Sequence, residues 1–248
     1  MKKIFALCFL VILSGCQSVQ VPEEFVYKEI DTPQFKLATW QKITDINAEY
    51  RIYIEGDGYA FNANGQPTHN PTPRRELVRN ISFNDSAPNV VYLARPCQYV
   101  EDEKCKTEYW TTKRFAPEVI EAEYTAIKEI TKSRKMTLIG YSGGAQVAGL
   151  VTINHQDLQV SKIITIAGNL DHKTWTDYHN LPELTGSLNL AAYKDKFALI
   201  SQIHYVGSDD DVIPPKIIQK FIPADKIVEV KGATHNKGWD KIYQRIYM

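Results

Sequence analysis

Gly140-Tyr141-Ser142-Gly143-Gly144 stands between the apolar run Met136–Ile139 and a segment that carries Ala145, Val147, Ala148 and Leu150 at helical spacing. A buried strand that turns at once into a helix accounts for this change of period. In a G-x-S-x-G turn the bend is so tight that side chains two before and two after the serine would collide, and both positions are glycine. Such a turn lifts the hydroxyl to the C-terminal edge of a sheet, where the N-terminus of the next helix favours developing negative charge. Ser142 is therefore the candidate nucleophile.

Outward from this turn, short apolar runs alternate with amphipathic stretches, the pattern of a mostly parallel sheet with helices on both faces. The expected strands are Tyr50–Ile54, Val90–Ala94, Thr137–Tyr141, Lys162–Ala167, Gln202–Val206 and Ile227–Val230. Between Ala116 and Ser133, the residues Val119, Ile120, Tyr124, Ile127 and Ile130 share one helical face, as packing on a sheet requires. Further helices are predicted from Gly143 to about Ile153, from Pro214 to Phe221, and from near Asn236 to the C-terminus. Phe61–Arg74, rich in Asn, Pro and Gly, reads as a loop. Gly168–Phe197 is a long excursion between strands, of the kind that builds a pocket wall.

A serine hydroxyl is a weak nucleophile until a base takes its proton and an acid orients that base. Both are present downstream, in the order serine, acid, histidine. Gly207-Ser208-Asp209-Asp210-Asp211-Val212-Ile213-Pro214 follows an apolar strand and sets three acids on the loop at its C-terminal end. The histidine is chosen by position. His235 lies on the loop after the last predicted strand, whereas His69 precedes the nucleophile, His155 follows its helix, His172 and His179 belong to the excursion, and His204 is inside a strand. Acyl chemistry also needs donors for an oxyanion: the N–H of Gly143 and one from the loop after an early strand, Glu55-Gly56-Asp57-Gly58, where Asp57 or Gly58 is the donor.

These parts together resemble a bacterial lipoprotein of the α/β-hydrolase family, with the match running from Tyr50 to the end. Ile54–Gly58, Tyr92–Gln98 and Ala167–Asp171 also look like motifs of an envelope branch of that family. The resemblance implies an α/β-hydrolase fold and a cofactor-free, metal-free hydrolase of ester, thioester or amide bonds. It selects Asp210 as the triad acid, because the segment is similar to the family's G-x-x-D-x-x-V/I-P pattern. In one respect the chain departs from the family: the usual His-Gly of the oxyanion loop is Glu55-Gly56 here.

Lys2-Lys3, the apolar run Ile4–Leu13 and Leu13-Ser14-Gly15-Cys16 form a targeting segment. About ten apolar residues rise roughly 15 Å as a helix, half of a bilayer's hydrocarbon core, which disfavours a spanning anchor. The four residues ending at Cys16 resemble a lipobox, which implies a signal peptide over 1–15 and a diacylated Cys16 as the first mature residue. Gln17, being other than Asp, implies an outer-membrane destination. The division expected is 16–48 as anchor, linker and first strands, and 49–248 as the hydrolase domain. Cys8 lies in the cleaved run and Cys16 takes the lipid, which leaves Cys97 and Cys105 of the four cysteines. In an oxidising envelope these two are expected to pair, closing a small loop worth about 2–3 kcal/mol.

The chain has 248 residues, 44% of them hydrophobic, enough for one sizeable core. Lys+Arg and Asp+Glu are both 29, a balance that gives no support for a nucleic-acid footprint. The partners expected are a small-molecule or envelope acyl substrate and, through the lipid, a membrane. Two other functions use the same residues: a silent ligand-binding lipoprotein on this fold, and an acyltransferase in which an alcohol replaces water.

Overall fold

The computed structural model describes residues 20–247. Cys8 and Cys16, and with them the lipidation site, lie outside the described residues. Eight strands form one sheet: β1 (Val26–Asp31), β2 (Lys36–Ile43), β3 (Tyr50–Ile54), β4 (Asn89–Leu93), β5 (Met136–Tyr141), β6 (Val160–Ile166), β7 (Gln202–Gly207) and β8 (Ile227–Val230). Their spatial order is β1-β2-β4-β3-β5-β6-β7-β8. β2 pairs antiparallel with both β1 and β4, and every other pairing is parallel. The two strands before residue 48 are thus the edge of the same sheet. A row of open backbone groups along β4 is covered by β2.

Among the described residues there are seven α-helices: α1 (Leu77–Phe83), α2 (Pro117–Thr131), α3 (Gly144–Asn154), α4 (His172–His179), α5 (Lys194–Ala198), α6 (Pro215–Ile218) and α7 (Tyr243–Tyr247). Strand alternation sends side chains to two cores. Ile52, Ile54, Val91, Leu93, Leu138 and Ile163 meet α2 and α3 on one face. Tyr53, Val90, Tyr92, Ile139, Ile164 and Ile166 meet α1 and α7 on the other. Ile52, Ile54 and Leu138 are wholly buried, each worth about 1.5–3 kcal/mol of transfer energy. Burial on both faces explains why these strands read as continuous apolar runs.

The strands expected from the sequence lie within two residues of those observed. Two helices differ. The segment after Pro214 is helical only over Pro215–Ile218, and the C-terminal helix starts late, as a 3₁₀ turn at Trp239–Ile242 that runs into α7. A small bridge between Thr234 and Lys237, followed by Gly238 at φ +84°, holds residues 234–238 out of the helix. α1 was not foreseen, and it starts at Glu76 without a side-chain cap.

Candidate active site

β5 ends in the turn that carries Ser142. The serine backbone sits at φ +50°, in the left-handed region that a residue with a side chain rarely occupies. Two bonds hold it there: Ser142 N–H donates to Ile166 O (3.1 Å) and Ser142 O accepts from Asn169 N–H (2.9 Å), both on β6 or just after it. The flanking glycines have distinct reasons. A Cβ on Gly140 would lie 2.6 Å from Ala145 Cα and Gly144 O, the collision across the turn expected from the sequence. On Gly144 it would instead lie 2.3 Å from Ile54 O at the end of β3.

His235 Nε2 is 3.1 Å from Ser142 Oγ, and His235 Nδ1 is 2.9 Å from Asp210 Oδ2. Asp210 is 3% exposed, and its other oxygen accepts from the N–H groups of Val212 (2.9 Å) and Ile213 (2.8 Å). Asp209 and Asp211 point to solvent, and Asp209 Oδ1 accepts only from Ser208 Oγ (2.6 Å). Of the three acids, the structure therefore brings Asp210 to His235. The two loops are also tied by their backbones, since Asp209 N–H donates to Ala233 O at 3.0 Å.

Two aromatic residues that sequence reasoning did not single out position the histidine loop. Tyr141 Oη (3.0 Å) and Trp239 Nε1 (3.1 Å) both donate to His235 O, and Tyr141 Oη also reaches Asn236 Oδ1 (3.2 Å). Tyr141 is the residue before the serine, so the elbow itself orients the base. Its place between Gly140 and Ser142 was the only signal in the sequence.

The loop after β3 passes beside the nucleophile: a Cβ on Gly56 would lie 3.0 Å from Ser142 Cβ. Among the described residues, the N–H groups of Asp57, Gly58 and Gly143 donate to no protein acceptor, so they are open to an oxyanion. Glu55, which stands where the family has histidine, accepts from Tyr92 Oη (2.7 Å) and from Gly56 N–H (2.8 Å). Burial pushes its carboxyl up to about 7. Gln98 Nε2 donates to Gly56 O (3.0 Å), while its Oε1 accepts from Arg95 N–H (3.1 Å). Adjacent Cys97 is joined to Cys105 by a disulfide, with Cα atoms 5.6 Å apart. The cross-linked loop thus carries the residue that pins the oxyanion loop.

Asp57 is embedded in arginines. Its Oδ2 accepts from Arg114 Nη1 at 2.6 Å, its Oδ1 lies 3.8 Å from Arg95 Nη1, and Arg95 Nε is 3.2 Å from Glu123 Oε1. Arg95 also donates to Arg114 O. A Cβ on Gly143 would lie 2.1 Å from Asp57 Oδ1, so the carboxylate occupies the space a side chain there would need.

A cleft of about 520 Å³ opens over Ser142 and His235. Trp175, Val212 and Ile213 give it an apolar wall, with Trp175 fixed by its Nε1–H bond to Val212 O (2.8 Å). Trp175 belongs to α4, so the long excursion after β6 does contribute to the pocket. The remaining histidines stay out of the chemistry. His204, for instance, is bonded to Thr165 Oγ1 (2.8 Å) and Gln202 Oε1 (2.7 Å), and burial lowers it to about 3.

No protein-family model and no curated protein matches the chain. Solved structures do. A hydrolase from Thermoplasma acidophilum described as CIB-like superposes with a TM-score of 0.61 at 16% identity, over 90% of this chain and 96% of its own. The Pyrococcus furiosus esterase PF2001 gives 0.59 at 16% identity, over 90% and 89%. An α/β serine hydrolase homologue from Coxiella burnetii gives 0.53 at 15% identity, over 90% and 93%. The fold is the α/β-hydrolase fold, an eight-stranded, mostly parallel sheet with helices on both faces.

Proposed function

We propose that this chain is a serine hydrolase that cleaves an ester, or a related thioester or amide, through an acyl-enzyme on Ser142. The observation that carries this reading is the run of contacts Ser142 Oγ–His235 Nε2 (3.1 Å) and His235 Nδ1–Asp210 Oδ2 (2.9 Å), on a serine held at φ +50°.

In acylation, His235 Nε2 takes the Ser142 proton as Oγ attacks the carbonyl carbon. The N–H groups of Gly143 and Asp57 receive the oxyanion, and the N-terminus of α3 adds partial positive charge. His235 then protonates the leaving alcohol as the carbon–oxygen bond breaks. Water, deprotonated by the same imidazole, attacks the acyl-enzyme; the acid leaves and the Ser142 hydroxyl is restored. Asp210 keeps the Nδ1 proton in place throughout.

Lipidation at Cys16 is part of the proposal and would hold the enzyme at the envelope, on the outer membrane facing the periplasm. The catalytic reading is tested on the soluble form beginning at Gln17 with a fluorophosphonate probe and a panel of aryl esters. Ser142 is expected to take the label, and Ser142→Ala, which removes one hydroxyl and no core volume, is expected to fold normally and lose turnover by about 10⁴ or more. Full esterase activity in folded Ser142→Ala would refute the mechanism.

A further inference from the structure

Besides Trp175, Val212 and Ile213, the cleft is lined by three basic residues, Arg74, Arg75 and Arg114, together with Tyr59 and Phe61. Two carboxyl groups share the lining, and both are already engaged. Asp57 is bound by Arg114 at 2.6 Å, and Glu55 is buried under Tyr92 Oη and the Gly56 N–H. Arg74 and Arg75 are exposed and make no ion pair among the described residues. Two adjacent surface arginines are ordinarily a solvated face. Here, however, the Arg74 guanidinium is stacked 3.5 Å from the centre of the Tyr59 ring, which limits its rotamers before anything binds.

The segment that carries both arginines is itself fixed. Tyr59 N–H donates to Pro71 O (2.8 Å), and Tyr99 N–H donates to Thr72 Oγ1 (2.8 Å). A third observation is deeper in the same cleft. Asn169 also lines it; the residue is 4% exposed and its Oδ1 makes no hydrogen bond within the described protein. An unpaired guanidinium pair at a cleft concentrates anions, and its planar forks match carboxylate or phosphate oxygens.

We propose that the bond cleaved at Ser142 belongs to a small ester or thioester that carries an anionic group, a carboxylate or phosphate. Arg74 and Arg75 bind that group, and the apolar part lies against Trp175, Val212 and Ile213. The proposal rests on the serine-hydrolase reading above and adds the charge of the substrate.

A matched pair of substrates tests it, read by release of 4-nitrophenol: the 4-nitrophenyl monoester of glutaric acid, with a free carboxylate, and its methyl ester, in which a neutral methyl ester replaces the charge. Wild type is expected to show a kcat/KM at least about tenfold higher for the charged ester, the size of one charge-assisted hydrogen bond. That preference should shrink as salt is raised. Arg74→Gln/Arg75→Gln should bring the ratio of the two esters close to one, while Arg74→Lys/Arg75→Lys keeps part of it. Competition by glutarate and by glycerol phosphate assigns the preferred anion by the stronger inhibition. A wild-type ratio of one or less, with Ser142 still labelled by fluorophosphonate, overturns this proposal and leaves the hydrolase reading standing. A ratio unchanged in the glutamine double variant overturns it as well. Absence of both labelling and turnover overturns the hydrolase reading, and this proposal with it.

Discussion

Asp210→Asn isolates the role of the acid with almost no change in volume. Asp210 Oδ1 accepts from the Val212 and Ile213 N–H groups, and the asparagine oxygen can keep both bonds. That choice turns the new NH₂ toward His235 Nδ1, which now lies 2.9 Å from a carboxylate oxygen. A donor there forces Nδ1 to accept, so the ring proton moves to Nε2, 3.1 Å from Ser142 Oγ. In that tautomer His235 donates to the serine and is unable to deprotonate it. The expected loss in kcat is on the order of 10⁴, about 5.4 kcal/mol of transition-state energy.

The assay is steady-state hydrolysis of an aryl ester alongside thermal unfolding. Tm should stay near wild type, because both backbone bonds survive. Asp209→Ala and Asp211→Ala, at exposed positions, should change kcat by less than about twofold. Should folded Asp210→Asn keep kcat within tenfold of wild type, the tautomer argument fails. A larger loss at Asp209 or Asp211 would show that the resting geometry is not the reactive one.

Arg114→Ala leaves the Asp57 carboxylate beside the oxyanion donors with only Arg95, at 3.8 Å, to offset it. The expected result is a fall in kcat of about 10- to 100-fold, partly restored by adding Asp57→Asn; unchanged kcat in the single variant refutes this role. For Glu55, burial raises the folded pKa from 4.5 to about 7, so between these values the folded protein holds a proton that the unfolded chain has lost. The contribution of this group to stability is thus greatest below about 4.5 and falls as pH rises through 7. Glu55→Gln should remove that fall, on the order of 2–3 kcal/mol, which Tm measured across this window would reveal. Cys16→Ala should abolish uptake of a fatty-acid analogue and release the protein from the membrane fraction; a labelled, membrane-bound variant would end the anchor proposal.

How much was legible follows from the range over which each signal acts. Ser142 and the strand–helix change around it are encoded within a few residues, and the six strands from Tyr50 onward are apolar runs that burial on both faces demands. His235 was found by elimination on position. Among three adjacent acids, Asp210 was selected only by resemblance to the G-x-x-D-x-x-V/I-P pattern, and burial with the Val212 and Ile213 N–H bonds supplies the physical distinction. Tyr141 and Trp239 were missed because their task, holding the His235 carbonyl, is a contact between distant loops. α6 and the last helix were overextended, because the apolar spacing near Phe221 and Trp239 serves packing on the sheet without continuous helix.

In Glu55-Gly56-Asp57-Gly58, the loop proposed to bind the oxyanion, the charge that needs an account is that of Asp57. Asp57 places a carboxylate where negative charge develops, an arrangement that opposes catalysis unless cations hold it. Arg114 and Arg95 do so, and Glu123 in turn faces Arg95 across 3.2 Å in the core. Removing Arg95 would leave the Glu123 carboxyl without its one close partner in the core and Asp57 with Arg114 alone. Gly143 belongs to the same set, since a side chain there would meet Asp57 Oδ1 at 2.1 Å. The glycine directly after Ser142 is therefore set by Asp57, whereas the elbow glycines Gly140 and Gly144 answer to backbone atoms across the turn and at the end of β3. On the proposed reading, Arg95 and Arg114 offset the charge of the loop beside the nucleophile while Arg74 and Arg75 stay unpaired at the same cleft, which then presents positive charge to whatever enters. That field favours an anionic ester over a neutral one before any contact is made.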